Sequence, residues 1–157
     1  MSDRNGLGDF DFFVGSWTSI QRKLKQPLAD CDEWSETSAT TRCWQAFGGA
    51  ANVDEVHFPD WGYSGLSVRL HDPATGKWSI YWVSSRNGQL SLPPVTGGFS
   101  DGVGTFYEEE EYQGRNITVR FKWSDITATA ARWEQAFSPD GGQTWETNWT
   151  ADFTRSD

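Results

Sequence analysis

The residues best suited to chemistry lie in one run, Tyr107-Glu108-Glu109-Glu110-Glu111-Tyr112. In an extended segment successive side chains point to opposite faces, so four consecutive glutamates cannot all face water. Two carboxylates at i, i+2 share the apolar side. A carboxylate buried without a partner is costly and takes up a proton. A carboxyl with a pKa raised in this way suits general acid–base work near neutral pH. The turn at Gln113-Gly114 decides which pair is inside. An even loop sets Glu108 and Glu110 beside Val119 and Ile117, whereas one bulged residue sets Glu109 and Glu111 there. In the competing reading the hairpin tip projects past the rest of the fold and all four stay solvated. Arg69 and Arg86 are the candidate partners of the inward carboxylates, and Arg69 or Tyr81 would steady a developing anion.

The elements that carry this run read as a succession of hairpins. Turn-forming pairs recur every ~8–12 residues and no long helical stripe is visible, the pattern of an antiparallel all-β chain. "RLHDPATGKWSIYW" turns at Asp72-Pro73 and Gly76, "EEYQGRNITVRF" at Gln113-Gly114, and "RWEQAFSPDGGQTWETNW" from Pro139 to Gly142. Strands are expected at roughly 14–24, 33–46, 50–58, 63–71, 77–85, 89–99, 103–112, 116–124, 129–138 and 143–154, with a short helical or irregular lid over 3–12. Sequential hairpins favour an up-and-down barrel of about 8–10 strands over a sandwich, whose Greek keys need long crossovers. The whole chain, 1–157, reads as a single barrel domain.

Alternation also sorts the side chains. Along 143–154, Trp145, Thr147, Trp149, Ala151 and Phe153 share the face expected to be inner. Trp133, Gln135 and Phe137 fall beside them, and Ile117, Val119, Phe121 and Trp123 continue the wall, with Arg120, Lys122, Arg132 and Glu134 outside. The Asp-Pro-Ala-Thr-Gly hairpin leaves two choices. One face carries Leu66, Val68, Leu70, Tyr81 and Val83; the other carries Ser67, Arg69, His71, Trp78, Ile80 and Trp82. If Arg69 and Trp82 face in, they make a polar–aromatic patch for an acidic or aromatic ligand group. The candidate ligand-binding set is Trp82, Arg69, Tyr81, Phe121, Trp123, Trp133, Trp149 and Arg86, with the irregular segment 84–98 as a rim loop. The same rings would also serve a filled core.

Gly15-x-Trp17 on the first long strand, the meander of hairpins, and Asp152-Phe153-Thr154-Arg155 at the end resemble the lipocalin or calycin pattern. That resemblance implies a structural plug at one barrel end formed by Gly15 and Trp17, with Arg155 stacked on the indole as a cation–π contact. "FFVGSW", "HDPATGKW" and "SPDGGQTWETNW…DFTR" resemble, over nearly the whole chain, a bacterial family of unknown function with a calycin-like barrel. The resemblance implies no catalytic residue. Nitrobindin-like haem barrels share the shape but need an axial histidine on a late strand, and His57 and His71 both lie in the first half.

Bulk properties narrow the partners. Ten Trp and ten Phe are a heavy aromatic load for 157 residues and suit a half-polar cavity or an interface. A net charge of -9 disfavours nucleic acid and anionic membrane. No apolar run approaches the ~20 residues of a membrane helix, and no signal peptide is read at the N-terminus. Cys31 and Cys43 lack metal-ligand spacing, so reduced thiols, a cytoplasmic location and no metal site are expected. Without a Ser-His-Asp order, a phosphate loop or a His/Cys/Asp cluster, no cofactor is expected either. The favoured function is binding of a small apolar or aromatic molecule in a Trp/Phe-lined cavity. The alternatives are a cofactor-independent isomerase, cyclase or dehydratase with a buried glutamate as base, and a filled barrel acting as a homodimeric interaction module.

Overall fold

Residues 5–157 are described by the computed structural model. Ten strands follow one another as β1 (Gly15–Leu24), β2 (Trp34–Ala46), β3 (Ala51–Phe58), β4 (Tyr63–His71), β5 (Trp78–Ser84), β6 (Val95–Ser100), β7 (Val103–Tyr112), β8 (Arg115–Ser124), β9 (Ala130–Ser138) and β10 (Glu146–Arg155). Each pairs antiparallel with its successor, and β1 pairs with β10 to close an up-and-down barrel. The all-β meander expected from the turn spacing is the fold observed. The largest departure is β6, which starts at Val95 and not near residue 89. Pro93 and Pro94 have no N–H to give to a ladder, and before them Leu90 touches the sheet only as an isolated bridge to Val83.

Turn chemistry sets the register. Gln113 and Gly114 both take positive φ, 50° and 79°, the two-residue hairpin geometry that keeps the flanking strands in step. Tyr112 therefore faces Arg115, Glu108 faces Val119 and Glu110 faces Ile117. In the β4–β5 hairpin Arg69 lies opposite Ile80 and Ser67 opposite Trp82. Arg69, Ser67 and Ile80 are buried, so the more polar of the two faces is turned inward. Leu66, Val68, Tyr81 and Val83 occupy the outer surface.

One expectation fails on β10. A register shift between Thr147 and Trp149 inserts Asn148 as a bulge, and a single extra residue inverts alternation on its far side. Trp149, Ala151 and Phe153 stay inside. Trp145 and Thr147, expected beside them, are outside; the Trp145 ring lies on the outer surface with the Arg120 guanidinium 4.4 Å from its centroid and Tyr107 alongside.

The N-terminal segment seals one end of the barrel. Residues 5–10 form turns and Asp11–Phe13 a single 3-10 turn. The expected lid over 3–12 is thus mostly irregular, and its residues 3 and 4 lie outside the described part. Phe10 and Phe13 insert among Trp17, Trp78, Phe106 and Trp123. Trp17 Nε1 donates to the Phe13 carbonyl at 2.9 Å. Arg155 lies across the indole, 4.3 Å from its centroid. Its guanidinium also donates to the carbonyls of Val14 at 2.8 Å, Phe12 at 2.7 Å and Ala128 at 3.0 Å. A Cβ on Gly15 would overlap that guanidinium, and Gly15 holds a φ of 129° that only glycine adopts without strain. No helix among the described residues is long and apolar enough to cross a membrane. Cys31 and Cys43 are both free thiols.

Candidate functional site

Beyond the aromatic plug, the barrel holds a cavity of about 80 Å³ within which the centre of a water molecule can move. Inward alternation on β5, β8, β9 and β10 delivers Trp82, Phe121, Trp123, Trp133 and Trp149 to its wall. The rings brace one another edge to face: Phe121 on Trp133 at 5.1 Å, Trp133 on Trp149 at 5.6 Å, Trp82 on Trp149 at 6.1 Å. Such contacts fix ring orientation as well as burying area. Trp82 has room because Gly65, its neighbour on β4, carries no side chain; a Cβ there would overlap the indole.

The cavity floor is polar. Arg69 Nη2 stands 2.6 Å from Asp54 Oδ2, and the two side chains are only 4% and 6% exposed. Arg69 is thus the charge partner that Asp54 Oδ2 faces. Asn52 Oδ1 accepts from Arg69 Nη1 at 3.0 Å and so fixes the other arm of the fork. The guanidinium is also boxed by the rings of Phe10, Phe13 and Trp123, at 5.1, 5.4 and 5.6 Å. Burial pushes the Asp54 carboxyl above the ordinary aspartate value and the Arg69 charge pulls it back. Arginine does not release its proton, so Asp54 is the counter-ion that keeps the floor neutral. Next to the pair, burial pushes the Cys43 thiol up to about 12, which leaves it protonated and inert.

Around this floor three polar atoms of cavity-lining residues have no hydrogen-bond partner among the described residues: Arg69 Nε, Thr41 Oγ1 and Trp123 Nε1. Buried polar groups are nearly always paired, so these three atoms keep hydrogen-bonding capacity for water or for another molecule. Gln21, also in the lining, is already engaged, accepting from Trp149 Nε1 at 2.9 Å and donating to Ser19 at 3.0 Å.

The remaining sequence candidates fall elsewhere. Tyr81 lies opposite Val68 on the outer face, because it is one residue out of phase with Ile80 and Trp82. Arg86 stands at the mouth away from the plug, 4.2 Å over the Tyr63 ring and donating to the Trp61 carbonyl at 2.7 Å. Glu108 and Glu110 share the inner face, opposite Val119 and Ile117, but only Glu108 is partly buried; Glu110 is exposed near the hairpin tip, as are the outer Glu109 and Glu111, with Glu109 accepting from Thr118 at 2.8 Å. Burial, then the adjacent Glu110, push Glu108 up to about 9, and its Oε1 has no hydrogen-bond partner among the described residues. Neither inward glutamate lines the cavity. Arg69, considered as their partner, is taken by Asp54 instead. Sequence reasoning missed Asp54, Asn52, Thr41 and Lys23. For Asp54 a signal existed: along β3 it shares alternation with Val56 and Phe58, an apolar set that must face in.

No protein-family model matches the sequence, and no curated protein does. Among solved structures, an S-type phycobiliprotein lyase from Guillardia theta resembles this chain with a TM-score of 0.54 and 15% identity, over 95% of this chain and 91% of that one. At that identity the likeness establishes a common barrel fold.

Proposed function

We propose that this protein binds a small aromatic or apolar molecule inside the barrel. The observation that carries the reading is the ring of Trp82, Phe121, Trp123, Trp133 and Trp149 around a buried, charge-balanced Arg69–Asp54 floor. Binding sites are mostly apolar with a few fixed polar groups that set orientation. Arg69 Nε, Trp123 Nε1 and Thr41 Oγ1 would supply those groups here, and a neutral acceptor such as a carbonyl suits a floor whose charge is already offset. Kinship with calycin-like barrels belongs to the same proposal, supported by Gly15, Trp17 and Arg155 at the closed end. Catalysis by a buried glutamate has less support, since Glu108 and Glu110 stand apart from the cavity lining.

The test is calorimetric titration with a series of one-ring aromatic amides. Binding with a negative heat-capacity change is expected. Ser67→Leu, which fills the cavity, should abolish it while the circular dichroism spectrum stays unchanged. Absence of binding across the series, or binding that survives in Ser67→Leu, would refute the proposal.

A further inference from the structure

The mouth away from the plug carries a second feature, a hollow of about 240 Å³ lined by Lys23, Lys25, Ser35, Trp61, Tyr63 and Arg86. In a chain with 22 acidic against 13 basic residues, three cations meet here. None of them forms an ion pair within 4.0 Å among the described residues; the ion-paired arginines are Arg22, Arg69, Arg132 and Arg155. Two of the three are held in place by rings. Lys23 Nζ sits 4.3 Å from the Trp149 centroid, and Arg86 sits 4.2 Å from that of Tyr63 while its Nη2 is anchored on the Trp61 carbonyl. Such contacts orient a cation without neutralising it. Lys23 keeps access to water, yet protein crowding around its ammonium, then the Arg86 charge, hold its pKa below the ordinary lysine value. Burial raises the Tyr63 phenol, which stays a neutral donor.

Trp149 links this hollow to the cavity. It belongs to the cavity wall, and its ring also carries Lys23 and meets Trp61 at 5.9 Å. Two oriented, unneutralised cations and a phenol next to an aromatic cavity are the complement of one negative group on an apolar body. We propose that the ligand is an amphipathic carboxylic acid, its ring in the cavity and its carboxylate held at the mouth by Lys23 and Arg86. This rests on the cavity reading above and adds the chemical class. Arg86 gives one Nη2 hydrogen to Trp61 and keeps its other N–H groups for the anion, the two-point fork that a planar carboxylate matches. The anion would also relieve the repulsion between the two cations.

The experiment compares 3-phenylpropionate, 4-phenylbutyrate and 3-phenylpropyl phosphate with 3-phenylpropionamide by calorimetry at neutral pH and low salt. A carboxylate should bind at least tenfold tighter than the amide. Lys23→Gln and Arg86→Gln should each shrink that ratio and together bring it near one, the loss falling on the acid far more than on the amide. Arg86→Lys, which keeps the charge, should retain most of it. Equal binding of acid and amide, or a ratio that survives in the double variant, overturns the carboxylate subsite while leaving the cavity standing. Stronger binding of the phosphate overturns the carboxylate assignment. Failure of every compound, the amide included, removes both the cavity reading and this one.

Discussion

Arg69 and Asp54 meet at 2.6 Å inside the barrel, with almost no exposure to water. Breaking a buried pair costs more than replacing it, since one partner left alone is an uncompensated charge in a poor dielectric. Arg69→Met and Asp54→Val should each destabilise the fold by about 3–5 kcal/mol in urea unfolding. The double variant should recover most of that loss. Single variants within about 1 kcal/mol of the parent would mean that the pair is not isolated from solvent.

Glu108 predicts a pH dependence. Its carboxyl lies at about 9 in the fold against 4.5 when unfolded, so the folded state holds a proton that the unfolded state releases. The stabilisation is fully present below about pH 4.5 and is lost as pH rises through about 9. Solvent screening at this half-exposed position limits the effect to the order of 1 kcal/mol. Glu108→Gln should flatten the alkaline side of the stability curve in denaturant titrations. An unaltered slope between pH 5 and 9 would show that Glu108 titrates as an ordinary glutamate.

Gly65 tests how the cavity is shaped. Its φ is ordinary, so Gly65→Ala acts only through the overlap of the new methyl with Trp82. Pushing the indole into the cavity should weaken aromatic-ligand binding about tenfold and cost about 1–3 kcal/mol of stability. Unchanged affinity would place Trp82 outside the binding contacts.

The barrel was legible because its evidence is local. Asp72-Pro73, Gln113-Gly114 and Pro139 to Gly142 announce reversals by composition, and strand bounds follow from them. The aromatic wall was legible for the same reason: on β8 and β9 alternation runs unbroken, so Phe121, Trp123 and Trp133 follow from period two alone. Trp145 was misplaced because nothing in "TWETNW" marks Asn148 as an extra residue. The Arg69–Asp54 pair was missed for a different reason. Its partners lie on neighbouring strands, Asp54 facing Ser67 and Asn52 facing Arg69, and the contact is diagonal to that register. Lys23 is harder still, since its importance comes from Trp149, far along the chain though opposite it in the closed sheet, and from Arg86 in the loop after β5.

The Arg155 latch has a consequence for how the chain assembles. Its bond to Val14 spans 141 residues of sequence, while nearly every other strand pairing is between neighbours. Hairpins can form as each segment becomes available, but sealing β1 against β10 is a long loop closure, unfavourable until both edges exist. During synthesis the nascent sheet therefore carries an open edge from β1 onward, and the ring is completed only when the last strand emerges. The seam is where a chaperone, or a second nascent chain, would compete with the protein's own closure.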